Sequence, residues 1–257
     1  MSIEVVSETL LRARAHVDLA DALALATSLA DQEEAYAVQQ AVARQLGWFG
    51  AGAPRAWKSG GPARGAQLTH APLPPAGVWP SPARAGDWPL RARGIEAEIA
   101  LRLGRDVSLA QAWQLVAGEC AGLIDAMAVG IEVVESRWLQ QFAAPPLLAL
   151  ADQLCHGALV VGEWQPCDLV RAAPDWSRQV CRLRIGTGET SVHTGTHSLN
   201  DPAWLLADWL RHATAHYGTL SAGTVVTTGS WVGLARAQAG DSVHVQFDGI
   251  GEAWLQL

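Results

Sequence analysis

Three glutamates and one lysine carry the chemistry that residue types alone suggest. In "GIEAEIALRLG", Glu96 and Glu98 stand two apart, and on a strand that spacing sends both side chains off the same face. Glu132 follows in "GIEVVESRW", a second strand-like segment. If the two segments lie side by side, three carboxylates converge. Each like-charge pair at about 4 Å would cost on the order of 4 kcal/mol at an effective dielectric near 20, so the trio needs protons or a cation. An all-oxygen ligand set suits a hard divalent ion, Mg2+ or Mn2+. The competing reading is an exposed strand face, on which glutamate alternates with apolar residues simply to meet water.

Lys58, in "RAWKSGG", is the only lysine; the other seventeen basic residues are arginine. A GC-rich coding bias explains the scarcity, and a required amine explains the survivor. An ammonium ion stabilises oxyanion charge. A proton shuttle must be partly neutral, and an unperturbed lysine is neutral in under about one molecule in a thousand at neutral pH. Burial or a nearby cation would lower its pKa; arginine cannot follow, because it stays charged.

Other spacings carry less. "HTGTH" sets His193 and His197 four apart, the spacing of a helical zinc pair, yet Thr-Gly-Thr between strand-like runs reads as a turn. "VVTTGSW" lacks the G-x-S-x-G of a nucleophile elbow. "GAGAPRAWKS" lacks the spacing of a phosphate loop. Asp152 and Arg137 read either as supporting partners of a site or as an ordinary ion pair. Trp57 and Trp79 flank the Gly/Pro-rich stretch, and core packing is favoured for both over pocket lining.

The elements that must position these residues follow from periodicity. Ala35, Val38, Val42 and Leu46 recur at helical spacing, with Asp31 as N-cap and Gly47 as stop. Residues 50–94 are rich in Gly, Pro and Ala, which predicts loop and short strand. "GIEAEIALRLG" alternates as a strand, and "SLAQAWQLVAGE" reads as a short helix capped by Ser108. "AVGIEVVESRW", "GALVVGEW" and "CRLRIGTGETSVHTG" read as strands, the last with a turn at Gly186–Gly188. "NDPAWLLADWLRHATAHYG" reads as a helix capped by Asp201, with Pro202 in its first turn. Two strands close the chain.

Bulk properties narrow the class. At 257 residues the chain suits one large domain with a small N-terminal attachment. A net charge of −7 argues against nucleic acid or an anionic membrane as partner. No apolar run reaches the ~18 residues of a membrane span. No secretory signal is read at the N-terminus, and the four cysteines show no metal-ligand spacing. A cytoplasmic location with reduced thiols is the expectation.

Taken together, "AYAVQQAV", the lysine after a Gly/Pro-containing loop, "GIEAEIALRLGRDV", "GIEVVESRW", the segment from Asn200 to Ser230 and the closing "AGDSVHVQFDGIGEAWLQL" resemble the 2-keto-4-pentenoate hydratase / 4-oxalocrotonate decarboxylase family of the fumarylacetoacetate hydrolase superfamily. The resemblance runs from about residue 30 to the C-terminus. It implies an α+β fold: a mixed β-sandwich roll of the fumarylacetoacetate hydrolase C-terminal type with a helical N-terminal part. Residues 1–70 would form the helical region with an active-site loop, and 71–257 the β-rich catalytic domain. The resemblance implies Mg2+ or Mn2+ on Glu96, Glu98 and Glu132, with Lys58 as the catalytic amine. Ser230, Gln153 and Ser59 would contact substrate. The implied partner is a 2-oxo or 2-hydroxydienoic acid, and the implied assembly a homo-oligomer.

The implied activity is a metal-dependent hydratase of aromatic-compound catabolism. A 4-oxalocrotonate-type decarboxylase comes second, an acylpyruvate C–C hydrolase third, and a catalytically weak binding subunit is the alternative of a different class. Three departures separate the chain from the family pattern. Lys58 is followed by Ser59-Gly60-Gly61-Pro62 rather than Ile-Gly-Leu-Thr-Ser. The segment Gly77–Pro82 carries no acid, Asp87 being the next. "ADQLCH" stands for "ADN-x-S", with Gln153 in place of asparagine and Cys155-His156 in place of small residues.

Overall fold

The computed structural model describes residues 2–16 and 18–257. Helices α1 (Ser2–His16) and α2 (Gln32–Gln45) open the chain. Asp31 caps α2 by accepting from the Glu34 N–H at 3.0 Å, and Gly47 beyond it turns the chain with a φ of +64°. The Gly/Pro-rich stretch folds into four short strands, β1 (Ala56–Gly60), β2 (Thr69–Pro72), β3 (Val78–Pro80) and β4 (Ala83–Arg84). Next come β5 (Gly94–Leu103), α3 (Leu109–Trp113), β6 (Ile124–Val134), α4 (Pro146–Ala151), β7 (His156–Val161), β8 (Gln165–Pro166) and α5 (Leu169–Ala172). The chain closes with β9 (Val180–Ile185), β10 (Ser191–Thr194), α6 (Leu206–Tyr217), β11 (Val225–Thr227), β12 (Ala235–Arg236), β13 (Ser242–Phe247) and β14 (Gly251–Gln256).

Two helices differ from their expected extent. Ser108 caps α3 in a reciprocal box with Gln111, but the helix stops at Trp113; Val116 and Gly118, with φ of +83° at the glycine, are poor helix formers. Helix α6 starts at Leu206 rather than near Asp201. The Asp201 carboxylate accepts from the Ala203 N–H at 2.8 Å and so closes a local turn. The regular ladder begins only with the Trp209 N–H on the Leu205 carbonyl.

The strands form two sheets. The larger has nine strands, with the path β2-β1-β11-β5-β6-β7-β3, β12 joining β5 and β8 joining β6; the smaller runs β10-β9-β13-β14-β4. The main core lies between them. Ile95, Ala97, Ile99 and Leu101 on one face of β5 are fully buried in the same cluster as Val243, Val245 and Ala253 of the small sheet. This is the mixed β-sandwich roll expected from the sequence. A second core gathers Val6 and Leu10 of α1, Val38 and Val42 of α2, Trp138, and Leu148 and Leu150 of α4. Among the described residues, no helix is long and apolar enough to cross a membrane.

Candidate functional site

The apolar residues of β5 point into the sandwich, so Glu96 and Glu98 leave its other face. Strand β6 pairs antiparallel with β5 in the register Glu96–Glu132 and Glu98–Gly130. Glu132 therefore stands directly across from Glu96, and Gly130 leaves room beside Glu98. One oxygen from each of the three glutamates lies within 4.8 Å of the others. Lysine 58 reaches the group from β1, which is joined to β5 through β11 by the pairs Lys58–Thr227 and Thr227–Ala100. Its Nζ donates to Glu132 Oε1 at 2.6 Å and to the Leu154 carbonyl at 3.0 Å. Glu98 accepts from the Gly229 N–H at 2.8 Å.

The electrostatics show what the group lacks. Burial, then the neighbouring Glu132, pushes Glu98 up to about 8 against the pull of Lys58 and the Gly229 N–H. Burial likewise pushes Glu96 up to about 8, although Lys58 pulls it down. Burial would depress the Lys58 ammonium; Glu132, Glu96 and Glu98 outweigh that and hold it above the ordinary lysine value. One lysine thus does not compensate the buried carboxylates of Glu98 and Glu132 together with the half-buried Glu96, and Glu132 Oε2 has no hydrogen-bond partner among the described residues. The donor set, all carboxylate oxygen and short of positive charge, fits a hard divalent cation.

The site opens on a cavity of about 420 Å³ lined by Lys58, Glu96, Glu98, Cys155, Gly229 and Ser230 among others. Of the residues expected to contact substrate, Ser230 and Ser59 line this cavity, and their hydroxyls are engaged. Ser230 Oγ donates to the Gly233 carbonyl at 2.6 Å, and Ser59 Oγ lies 2.8 Å from His70 Nδ1. Gln153 does not line it. It is fully buried and accepts from Arg14 at 2.6 Å, because three consecutive left-handed residues, Gln153, Leu154 and Cys155 (φ +48°, +53° and +58°), turn it away while aiming the Leu154 carbonyl at Lys58. Burial pushes the Cys155 thiol up to about 11, so it stays protonated and is no nucleophile.

Asp152 and Arg137 form a buried ion pair at 2.6 Å, with Arg14 as a second cation on the same carboxylate at 3.0 Å. His197 Nε2 donates to the Thr228 carbonyl at 2.7 Å, whereas His193 lies on β10 with its Nε2 3.1 Å from Ser191 Oγ. Trp57 is fully buried in the main core, and Trp79 packs partly buried against it. Sequence reasoning missed the Leu154 carbonyl, Arg14, and the role of His156, whose Nδ1 lies 3.3 Å from Glu132. Its only signal was His156 standing where a small residue is usual.

The model of the fumarylacetoacetate (FAA) hydrolase C-terminal family matches residues 63–256. The chain belongs to this family. Lys58 and both long N-terminal helices lie upstream of the matched residues, but solved structures cover them. The 4-oxalocrotonate decarboxylase from Pseudomonas putida G7, complexed with magnesium and adipate, is similar with a TM-score of 0.79 and 18% identity, over 99% of this chain and 96% of that one. Fumarylpyruvate hydrolase from Pseudomonas aeruginosa, in complex with Mn2+ and pyruvate, gives 0.51 and 16% identity over 79% and 89%. The 5-carboxymethyl-2-hydroxymuconate delta-isomerase from Mycobacterium smegmatis gives 0.55 and 19% over 78% and 75%. At these identities the likeness shows a shared fold, and the three activities differ.

Proposed function

We propose that the chain is a divalent-metal-dependent lyase acting on a 2-oxo-enoic or 2-hydroxydienoic acid. The observation that carries this reading is the convergence of Glu96, Glu98 and Glu132, with Lys58 bonded to Glu132, beside an open cavity that Lys58, Glu96 and Glu98 line. Glu96, Glu98 and Glu132 would hold Mg2+ or Mn2+, which supplies Lewis acidity toward the carboxylate and C2 oxygens of such an acid. Support for that ion comes also from the magnesium and Mn2+ complexes of the similar structures. The Lys58 ammonium has three N–H donors. Two are engaged by Glu132 and Leu154, which leaves one for a substrate oxygen or for delivering a proton to a dienolate carbon.

Hydration and decarboxylation both pass through a dienolate, and they differ in needing a base for water. Among the described residues, the cavity lining offers no carboxylate beyond Glu96 and Glu98, and no imidazole. Asp87 is not in it. That observation moves loss of CO2 from a vinylogous 3-oxo acid ahead of water addition, which the sequence had placed first; hydration stays the second reading. Assay of a dienol substrate by its ultraviolet absorbance, with CO2 measured in parallel, separates the two. Metal-dependent loss of absorbance with CO2 release supports decarboxylation, and without CO2 it supports hydration. Ligand-induced stabilisation without turnover would identify a binding subunit. No bound divalent ion, together with full activity in Glu98→Gln, would end the metal-centre reading.

A further inference from the structure

On the other side of the Gln153–His156 segment lies a second cavity, of about 230 Å³. Leu154 and Cys155 face the carboxylate centre, whereas Gln153 and His156 face this one. We propose that this cavity is a separate ligand site, built for a small monocarboxylate with a flat apolar body.

Its floor is cationic and under-partnered. Arg14 and Arg137 share the single carboxylate of Asp152, at 3.0 and 2.6 Å. Glu135, also in the wall, is already occupied by the backbone N–H groups of Arg91, Ala92 (2.9 Å) and Ser136 (3.0 Å). Arg91 adds a further positive charge at the mouth. Three nitrogens of wall residues have no hydrogen-bond partner among the described residues: Arg14 Nε, Gln153 Nε2 and His156 Nε2. Gln153 and His156 are 0% and 3% exposed, so bulk water does not satisfy them, and a buried donor left unmade is costly. Burial and the neighbouring Arg137 push Arg14 down to about 9 against the pull of Asp152, the behaviour of a cation short of anions.

The walls above this floor are apolar. Leu19, Leu46, Trp48, Pro74 and Trp88 line them, and the Arg14 guanidinium lies 5.1 Å from the Trp48 ring centroid. A carboxylate would complete the guanidinium and amide donors, and a planar apolar body would cover the indoles. An apolar pocket with a few convergent polar groups is the usual form of a small-molecule site. Its floor comes from α1, from the segment after β6 that carries Arg137, and from the turn after α4; it meets the carboxylate centre at one point, His156, whose Nδ1 lies 3.3 Å from Glu132.

Benzoate is the probe, titrated calorimetrically into the full chain at neutral pH, with Mg2+ and again with EDTA. Binding of one equivalent is expected, unchanged by EDTA and unchanged in Glu98→Gln. Arg14→Met should weaken it about tenfold or more. Ala76→Trp, at the exposed rim, should weaken it as much by closing the mouth, with every floor hydrogen bond left in place. Benzyl alcohol, flat but uncharged, should bind about tenfold more weakly than benzoate. Three results would each overturn the proposal: no benzoate binding up to about 10 mM, binding that requires Mg2+, or undiminished affinity in a folded Arg14→Met or Ala76→Trp protein.

Discussion

Lys58 is specified by geometry that another cation would not reproduce. Its amine meets a carboxylate and a backbone carbonyl at once, and a planar guanidinium projects its donors differently and holds its proton. Lys58→Arg is therefore expected to keep metal binding but to lose about 10²-fold or more in kcat, the range typical of a lost acid–base group; full activity would show that only charge matters. Buried histidines make a second residue-scale prediction. Burial, then the charge of His216, pushes His70 down to about 3, and burial, then His70 and His216, pushes His212 to about 2. Both stay neutral in the fold yet take a proton in the unfolded chain below the ordinary value of 6.5. Unfolded protein then binds more protons, so the stability they allow is complete above that value. It falls as pH drops below it, by at most about 1.4 kcal/mol per pH unit for each histidine. Glu96 and Glu98, raised in the fold, contribute a slope of the opposite sign, so the histidine term is read as a difference. Chemical denaturation at two pH values below 6.5 should show stability falling less steeply in His212→Leu than in the parent chain, by up to about 1.4 kcal/mol per pH unit, and equal slopes would refute it.

At the scale of elements, the loop after β11 presents a single N–H to Glu98, and it does so from Gly229 at a φ of +101°. No other residue adopts that conformation readily. Gly229→Ala should move the loop, release Glu98 and weaken Mn2+ binding about 10-fold to 100-fold, as loss of a ligand's supporting partner commonly does; unaltered Mn2+ affinity by calorimetry would refute the role. The same elements show what the sequence carried. Alternation in β5 and the caps Asp31 and Ser108 are local signals, set by side-chain period and hydrogen bonding to nearby backbone, and they were legible. The register that sets Glu132 opposite Glu96 is a non-local pairing, and a slip of one residue would have sent Glu132 to the other face. Resemblance, rather than periodicity, implied it. The turn at Gln153–Cys155 was illegible for another reason: three left-handed residues that are not glycine run against local preference, so only tertiary contacts select them.

Across the whole molecule, the two cores are joined at the site. Leu148, Leu150 and Ala151 of α4 belong to the N-terminal core, and the next residues, Asp152–Cys155, hold Arg14, Arg137 and Lys58. The carboxylates themselves sit on β5 and β6, the middle of the large sheet. An ion bound there contacts the most central strands and relieves the repulsion of buried carboxylates, and it has no such set of ligands in the unfolded chain. Binding to the folded state alone at a free concentration about 100 times Kd adds about 2.7 kcal/mol. For a chain of this size that is a rise in Tm of about 5–10 °C. Since α4 ties the helical core to the same residues, the rise should shift one cooperative transition rather than split it. Differential scanning calorimetry with EDTA and then with excess Mn2+ measures this directly, and Glu98→Gln should abolish most of the shift. A transition that splits, with only part of it moving, would mean that the helical core melts apart from the metal centre; no shift at all would mean that the three glutamates do not hold an ion.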